Sequence, residues 1–106
     1  MASALLHVPA LAQRGQVVEV RAHLQHPMET GYRVDAEGQA LPRNLVRRVQ
    51  AQLDGELVFA AELHPAVAAN PFLAFTLRVQ RSGTLSVSWQ GDGGFAHTET
   101  ARLTVA

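Results

Sequence analysis

At 106 residues the chain suffices for one domain, residues 1–106, that buries about 65% of its unfolded surface on packing alone. A hydrophobic content of 47% with 17% charged residues excludes a disordered chain, and no apolar run approaches the roughly 20 residues that span a bilayer. Nine basic residues, all arginine, balance nine acids, so no cationic field draws nucleic acid to the surface.

Cysteine is absent, which removes disulfides, thiolate nucleophiles and cysteine-ligated metal sites together. The lack of lysine fits a GC-rich genome or a hot habitat alike. Ala10-Leu11-Ala12 has the small residues of a leader cleavage site. However, no Lys or Arg precedes Arg14, His7 and Pro9 interrupt the apolar run, and cleavage would remove a first strand. Taken by itself, the sequence predicts a cytoplasmic protein.

Leu6 and Val8 ahead of Pro9 predict a short edge strand, and Arg14-Gly15-Gln16 turns it. Val18, Val20, Ala22 and Leu24 alternate with Glu19, Arg21 and His23, the period of a strand with one dry and one wet face. The His26-Pro27-Met28-Glu29-Thr30-Gly31 segment then interrupts the alternation. Tyr32 to Leu41 predicts a long connection with a brief strand at Tyr32 to Val34. Val49, Ala51 and Leu53 alternate up to Asp54-Gly55, a two-residue hairpin signal because that turn needs positive φ. Leu57, Phe59, Ala61 and Leu63 follow with the same period. The second interruption runs from His64-Pro65 through Val67 and Asn70 to Pro71-Phe72, with room for one helical turn over Ala66 to Asn70. Leu73, Phe75, Leu77 and Val79 form the next strand, and Ser82-Gly83 leads to Leu85, Val87 and Trp89. Gly91-Asp92-Gly93-Gly94 closes a further hairpin before a last strand from about Phe95 to Val105, with Ala101, Leu103 and Val105 inward. About seven strands with almost no helical period predict an all-β fold, an immunoglobulin-like antiparallel β-sandwich.

Chemistry is sparse in this pattern. His23 and His26 would chelate a metal only if a bend brought them together, since residues i and i+3 on a strand point to opposite faces. No metal site or cofactor is expected, and a His-based iron or copper centre is the enzyme-like alternative. Ser3, Ser82, Ser86 and Ser88 lack a paired histidine and acid in sequence context. Phe59, Phe75 and Trp89 alternate into the core, leaving too few aromatics for a sugar platform. Glu29 beside Thr30 suggests local hydrogen bonding more than catalysis. His26 and His64 each precede proline, which favours extended backbone and loop-capping bonds from imidazole to carbonyls. Met28, Val67 and Phe72 are candidate apolar contacts for a partner, with Phe72 equally suited to the start of a core strand.

The order and spacing of the two His-Pro loops, Arg33 and Asp35, the Gly38 turn, Pro42-Arg43-Asn44 and His64 to Phe72 resemble the SoxZ family, over about Pro9 to Val105. That resemblance implies a non-catalytic subunit of the SoxYZ sulfur carrier of bacterial thiosulfate oxidation. It implies pairing with SoxY, whose C-terminal arm supplies the cysteine this chain lacks, and transient docking with the other Sox enzymes. It also implies a periplasmic location, reached by export bound to a partner with its own signal. His26, Pro27, Met28, Glu29, Thr30, Gly31, Arg33, His64, Pro65, Val67, Asn70, Pro71 and Phe72 are the candidate docking residues, and self-association is expected when the partner is missing.

Overall fold

The computed structural model describes residues 3–26, 28–63 and 70–106. Eight strands occur among them: β1 (Ser3–His7), β2 (Leu11–Ala12), β3 (Val17–Gln25), β4 (Val46–Leu53), β5 (Glu56–Glu62), β6 (Phe72–Arg78), β7 (Gly83–Gly91) and β8 (Ala96–Val105). They form a three-stranded sheet in the order β1-β3-β6 and a five-stranded sheet in the order β2-β8-β7-β4-β5. The all-β sandwich predicted from alternation is thus observed, with one addition. Pro9 breaks the first strand, and Leu11–Ala12 then crosses to the second sheet, where it pairs in parallel with Thr104 and Val105 of β8. All other strand pairs are antiparallel.

The core lies between the sheets. Val18, Val20, Ala22 and Leu24 of β3 face Val49 and Ala51 of β4 and Leu85, Val87 and Trp89 of β7, all nearly inaccessible to solvent. Phe75 of β6 stacks on Phe59 of β5 with ring centroids 4.5 Å apart. Two of the three aromatics expected in the interior therefore meet across it, in a pairing worth about 1 kcal/mol beyond area burial. Leu57 departs from its predicted inward position. The register of β5 against β4 shifts between Ala51 and Gln52, so that Ala51 faces Phe59 and Gln52 faces Leu57. The extra residue, Val58, flips the strand beyond it and leaves Leu57 exposed, the usual consequence of a bulge.

At one end of the sandwich lie the start of β1, the β3–β4 connection, the end of β5, the start of β6 and the corner between β7 and β8. The β3–β4 connection is an arm. Its base is a bridge in which Glu29 and Asn44 exchange backbone hydrogen bonds of 2.8 and 2.7 Å. Farther out, the predicted strand at Tyr32 to Val34 reduces to one bridge, Val34 to Ala40. Asp35 Oδ1 accepts from the N–H groups of Glu37 and Gln39 and closes the tip. The molecule measures 58 × 21 × 19 Å. Strands of β3's length span only about 30 Å, so the end segments supply much of the long dimension.

Candidate partner-binding surface

Asn70 ties the two predicted loops together where β3 ends and β6 begins. It adopts φ of +54°, a left-handed conformation that asparagine tolerates better than most residues. Its N–H donates to the His26 carbonyl at 2.7 Å, and its Oδ1 accepts the His26 N–H at 2.8 Å. Its own carbonyl faces His23 Nε2 at 3.0 Å. Pro71 completes the junction by accepting from Leu24 N–H. Of the candidate residues, Pro27, His64, Pro65 and Val67 lie outside the described residues, as does most of the expected helical turn over Ala66 to Asn70.

The His26 ring is buried and rests edge-on against Phe95, centroids 4.9 Å apart. The carbonyl-capping role expected for it is not what forms. Nδ1 instead accepts the N–H of Met28 at 3.0 Å, which assigns the proton of the neutral ring to Nε2. Nε2 is buried and meets no hydrogen-bond partner among the described residues. Burial disfavours the imidazolium and lowers the His26 pKa, an effect the Asn44 side chain partly offsets. His23 is on the outer face, so the two histidines are divided between opposite faces, as strand geometry requires. Among the described residues no three metal-binding side chains gather.

Met28 is also buried, with φ of +53°, and its Sδ accepts from Val46 N–H at 3.3 Å. It is a core residue and not the exposed contact expected from the sequence, because the loop folds it back over the start of β4. Glu29 Oε1 accepts from Arg33 Nη1 at 3.0 Å, while its Oε2 is buried and meets no hydrogen-bond partner among the described residues. Thr30 bonds to Tyr32 and not to Glu29, accepting from the Tyr32 N–H. Gly31 takes φ of +92°, and its Cα passes beside Arg43 in the opposing strand of the arm. Asp92 fixes the neighbouring corner. The hydrogen bond from Arg47, with help from the Leu45 N–H and the Arg43 charge, holds its carboxyl below the usual carboxylate range.

This buried framework presents an apolar surface. Phe72, for which the sequence allowed either role, is 63% exposed, and its ring lies edge-on to His23 at 6.2 Å. The register places Leu5 of β1, His23 of β3 and Phe72 of β6 in one row across the outer face of the three-stranded sheet. Leu5 is 73% exposed. Two shallow hollows of about 250 and 310 Å³ adjoin the row, the larger lined by Leu5, His7, Arg21, His23 and Phe72. Tyr32, 91% exposed, and Val34 add apolar surface on the arm. Leu5 and His7 were missed from the sequence. The signal was Leu5-Leu6: adjacent apolar residues on an alternating strand force one of them outward.

Known structures resemble the fold. A superoxide reductase (neelaredoxin) from Ignicoccus hospitalis is 17% identical, with a TM-score of 0.73 over 98% of this chain and 80% of that one. A superoxide reductase (neelaredoxin) from Archaeoglobus fulgidus is 19% identical, with a TM-score of 0.61 over 93% of this chain and 88% of that one. The sulfur carrier protein SoxY from Chlorobium limicola f thiosulfatophilum is 16% identical, with a TM-score of 0.68 over 97% of this chain and 78% of that one. Identities this low establish a shared fold and nothing about chemistry. No curated protein matches the sequence. The family model of the sulphur oxidation protein SoxZ matches residues 6–102, nearly the whole sequence, and the chain belongs to the SoxZ family.

Proposed function

We propose that this chain is the non-catalytic subunit of a SoxYZ-type sulfur carrier, pairing with SoxY, whose C-terminal arm cysteine holds the sulfur intermediates. With no cysteine, it contributes shape and surface instead of a reactive atom. SoxY, a sandwich of the same fold, gains a folded body from it, and the enzymes visited by the arm gain a docking surface. A tethered substrate reaches each enzyme at high effective concentration, so weak docking suffices. Export occurs with SoxY, which places the pair in the periplasm.

The observation that carries this reading is the exposed row Leu5, His23 and Phe72, held rigid from behind by the Asn70 junction. An exposed apolar row flanked by shallow hollows, with no three metal-binding side chains gathered among the described residues, suits protein contact better than small-molecule chemistry. The SoxY interface is therefore assigned to this row together with the arm from Glu29 to Arg33.

Co-expression with SoxY tests the assignment. The wild-type chain is expected to co-purify with SoxY and to support thiosulfate-dependent turnover by the reconstituted enzymes, while alone it neither binds nor converts thiosulfate. Turnover of thiosulfate by the isolated chain would refute the carrier-subunit reading. Intact pairing in a Leu5→Ala, Phe72→Ala double variant would refute the location of the interface.

A further inference from the structure

The sandwich treats its edges unequally. The β5 edge of the five-stranded sheet carries Glu56 and Glu62 at its two ends and the Val58 bulge between them, devices that deter another strand from adding to a sheet. The β6 edge of the three-stranded sheet, Phe72-Leu73-Ala74-Phe75-Thr76-Leu77-Arg78, has no proline, no acid and no bulge. Its only charge is at the far end.

The register shows which groups this edge leaves open. Leu24 N–H donates to the Pro71 carbonyl, so Leu24 and Pro71 form a hydrogen-bonded antiparallel pair. The alternation continues through Ala22 with Leu73, Val20 with Phe75 and Val18 with Leu77. The N–H and C=O groups of Phe72, Ala74, Thr76 and Arg78 consequently point away from β3. Among the described residues no strand or side chain takes them. The side chains of these same residues lie on the exposed outer face.

We propose that, without a partner, two copies of this chain pair edge to edge through β6, joining their three-stranded sheets into one continuous sheet across a two-fold axis beside Phe75. The occupant is a second copy because the strand is its own complement. Antiparallel pairing in this register sets Phe72 opposite Arg78 of the second copy and Ala74 opposite Thr76, and every outward N–H and C=O of these four residues finds a partner. No like charges face each other. Arg78, whose Nη1 donates to the Gly15 carbonyl at 2.7 Å, lays its stem and guanidinium against the exposed Phe72 ring, an apolar and cation–π contact made twice by symmetry. The pairing goes beyond the SoxY reading and does not depend on it.

Sedimentation equilibrium of the full chain, without SoxY, tests the pairing. The wild-type chain is expected to form a dimer. Ala74→Pro and Thr76→Pro, which remove outward N–H groups that β3 does not use, should each raise the dissociation constant about tenfold or more. Arg78→Ala should raise it several-fold, and Glu56→Lys on the guarded edge should leave it unchanged. A strictly monomeric wild-type chain at high concentration, or a dimer indifferent to both prolines, overturns the proposal. If the proline variants fail to fold, amide exchange of the wild-type chain decides. Protection of Ala74 and Thr76 that rises with concentration supports the β6 pairing, and free exchange of both amides in a dimeric sample overturns it.

Discussion

The Asn70 junction and the surface it carries are built from adjacent residues under opposite rules. At the junction the side chains are held in place: Asn70 makes three hydrogen bonds, His26 is packed on Phe95, and Met28 is sealed over Val46. Around it, Phe72, Leu5 of β1 and the arm residues Tyr32 and Val34 expose apolar side chains to solvent. The difference teaches that rigidity and availability are separate properties, supplied here by different side chains at the same end of the sandwich. An ordered base lets a surface bind without a large entropy cost of ordering it.

Substitutions separate the two regions. Gly91→Ala should have the largest effect on stability, because a Cβ there would lie 2.2 Å from the Leu45 carbonyl oxygen. The backbone joining the corner to β4 must shift, at about 3 kcal/mol or more, read by chemical denaturation. Asn70→Ala should cost about 2–4 kcal/mol, since it strands the His26 N–H and puts alanine at positive φ. Asn70→Gly relieves only the second penalty, so a near-neutral Asn70→Gly would mean the side-chain bond is unimportant, and equal losses from the two variants would mean the backbone penalty is.

Acidification tests the buried base alone. Burial depresses the His26 pKa below its unfolded value, so the unfolded chain binds the proton more readily. Stability is fully present above about pH 6.5 and declines as the pH falls through that value toward the folded pKa. Denaturation at a series of pH values should show this decline in the wild-type chain and lose it in His26→Asn. The smallest effects belong to the surface. Tyr32→Ala and Val34→Ser should change stability by no more than about 0.5 kcal/mol, and a larger loss would mean that the arm packs against the body.

Alternation made the sheets legible in the sequence, and Asp54-Gly55 and Gly91 to Gly94 located two hairpins. The Leu57 inversion was hidden because a bulge is a property of strand pairing, and the lone strand Leu57 to Leu63 has an unbroken period. β2 was hidden for a similar reason: two residues carry no period, and only the approach of β8 makes Leu11–Ala12 a strand. The sequence singled out the His-Pro loops as candidates but did not sort the residues within them. His26 and Met28 turn inward because Asn70, some forty positions later in the sequence, clamps the backbone. Neither histidine nor methionine announces such burial from local context.

The most direct test of the central claim is the affinity of SoxY for this chain with and without the Phe72 ring, measured by calorimetry with the melting temperature as a control. The account predicts that Phe72→Ala weakens SoxY binding about tenfold or more, as removal of an exposed aromatic anchor should, while the melting temperature barely moves. Unchanged affinity in a stably folded Phe72→Ala variant would contradict it.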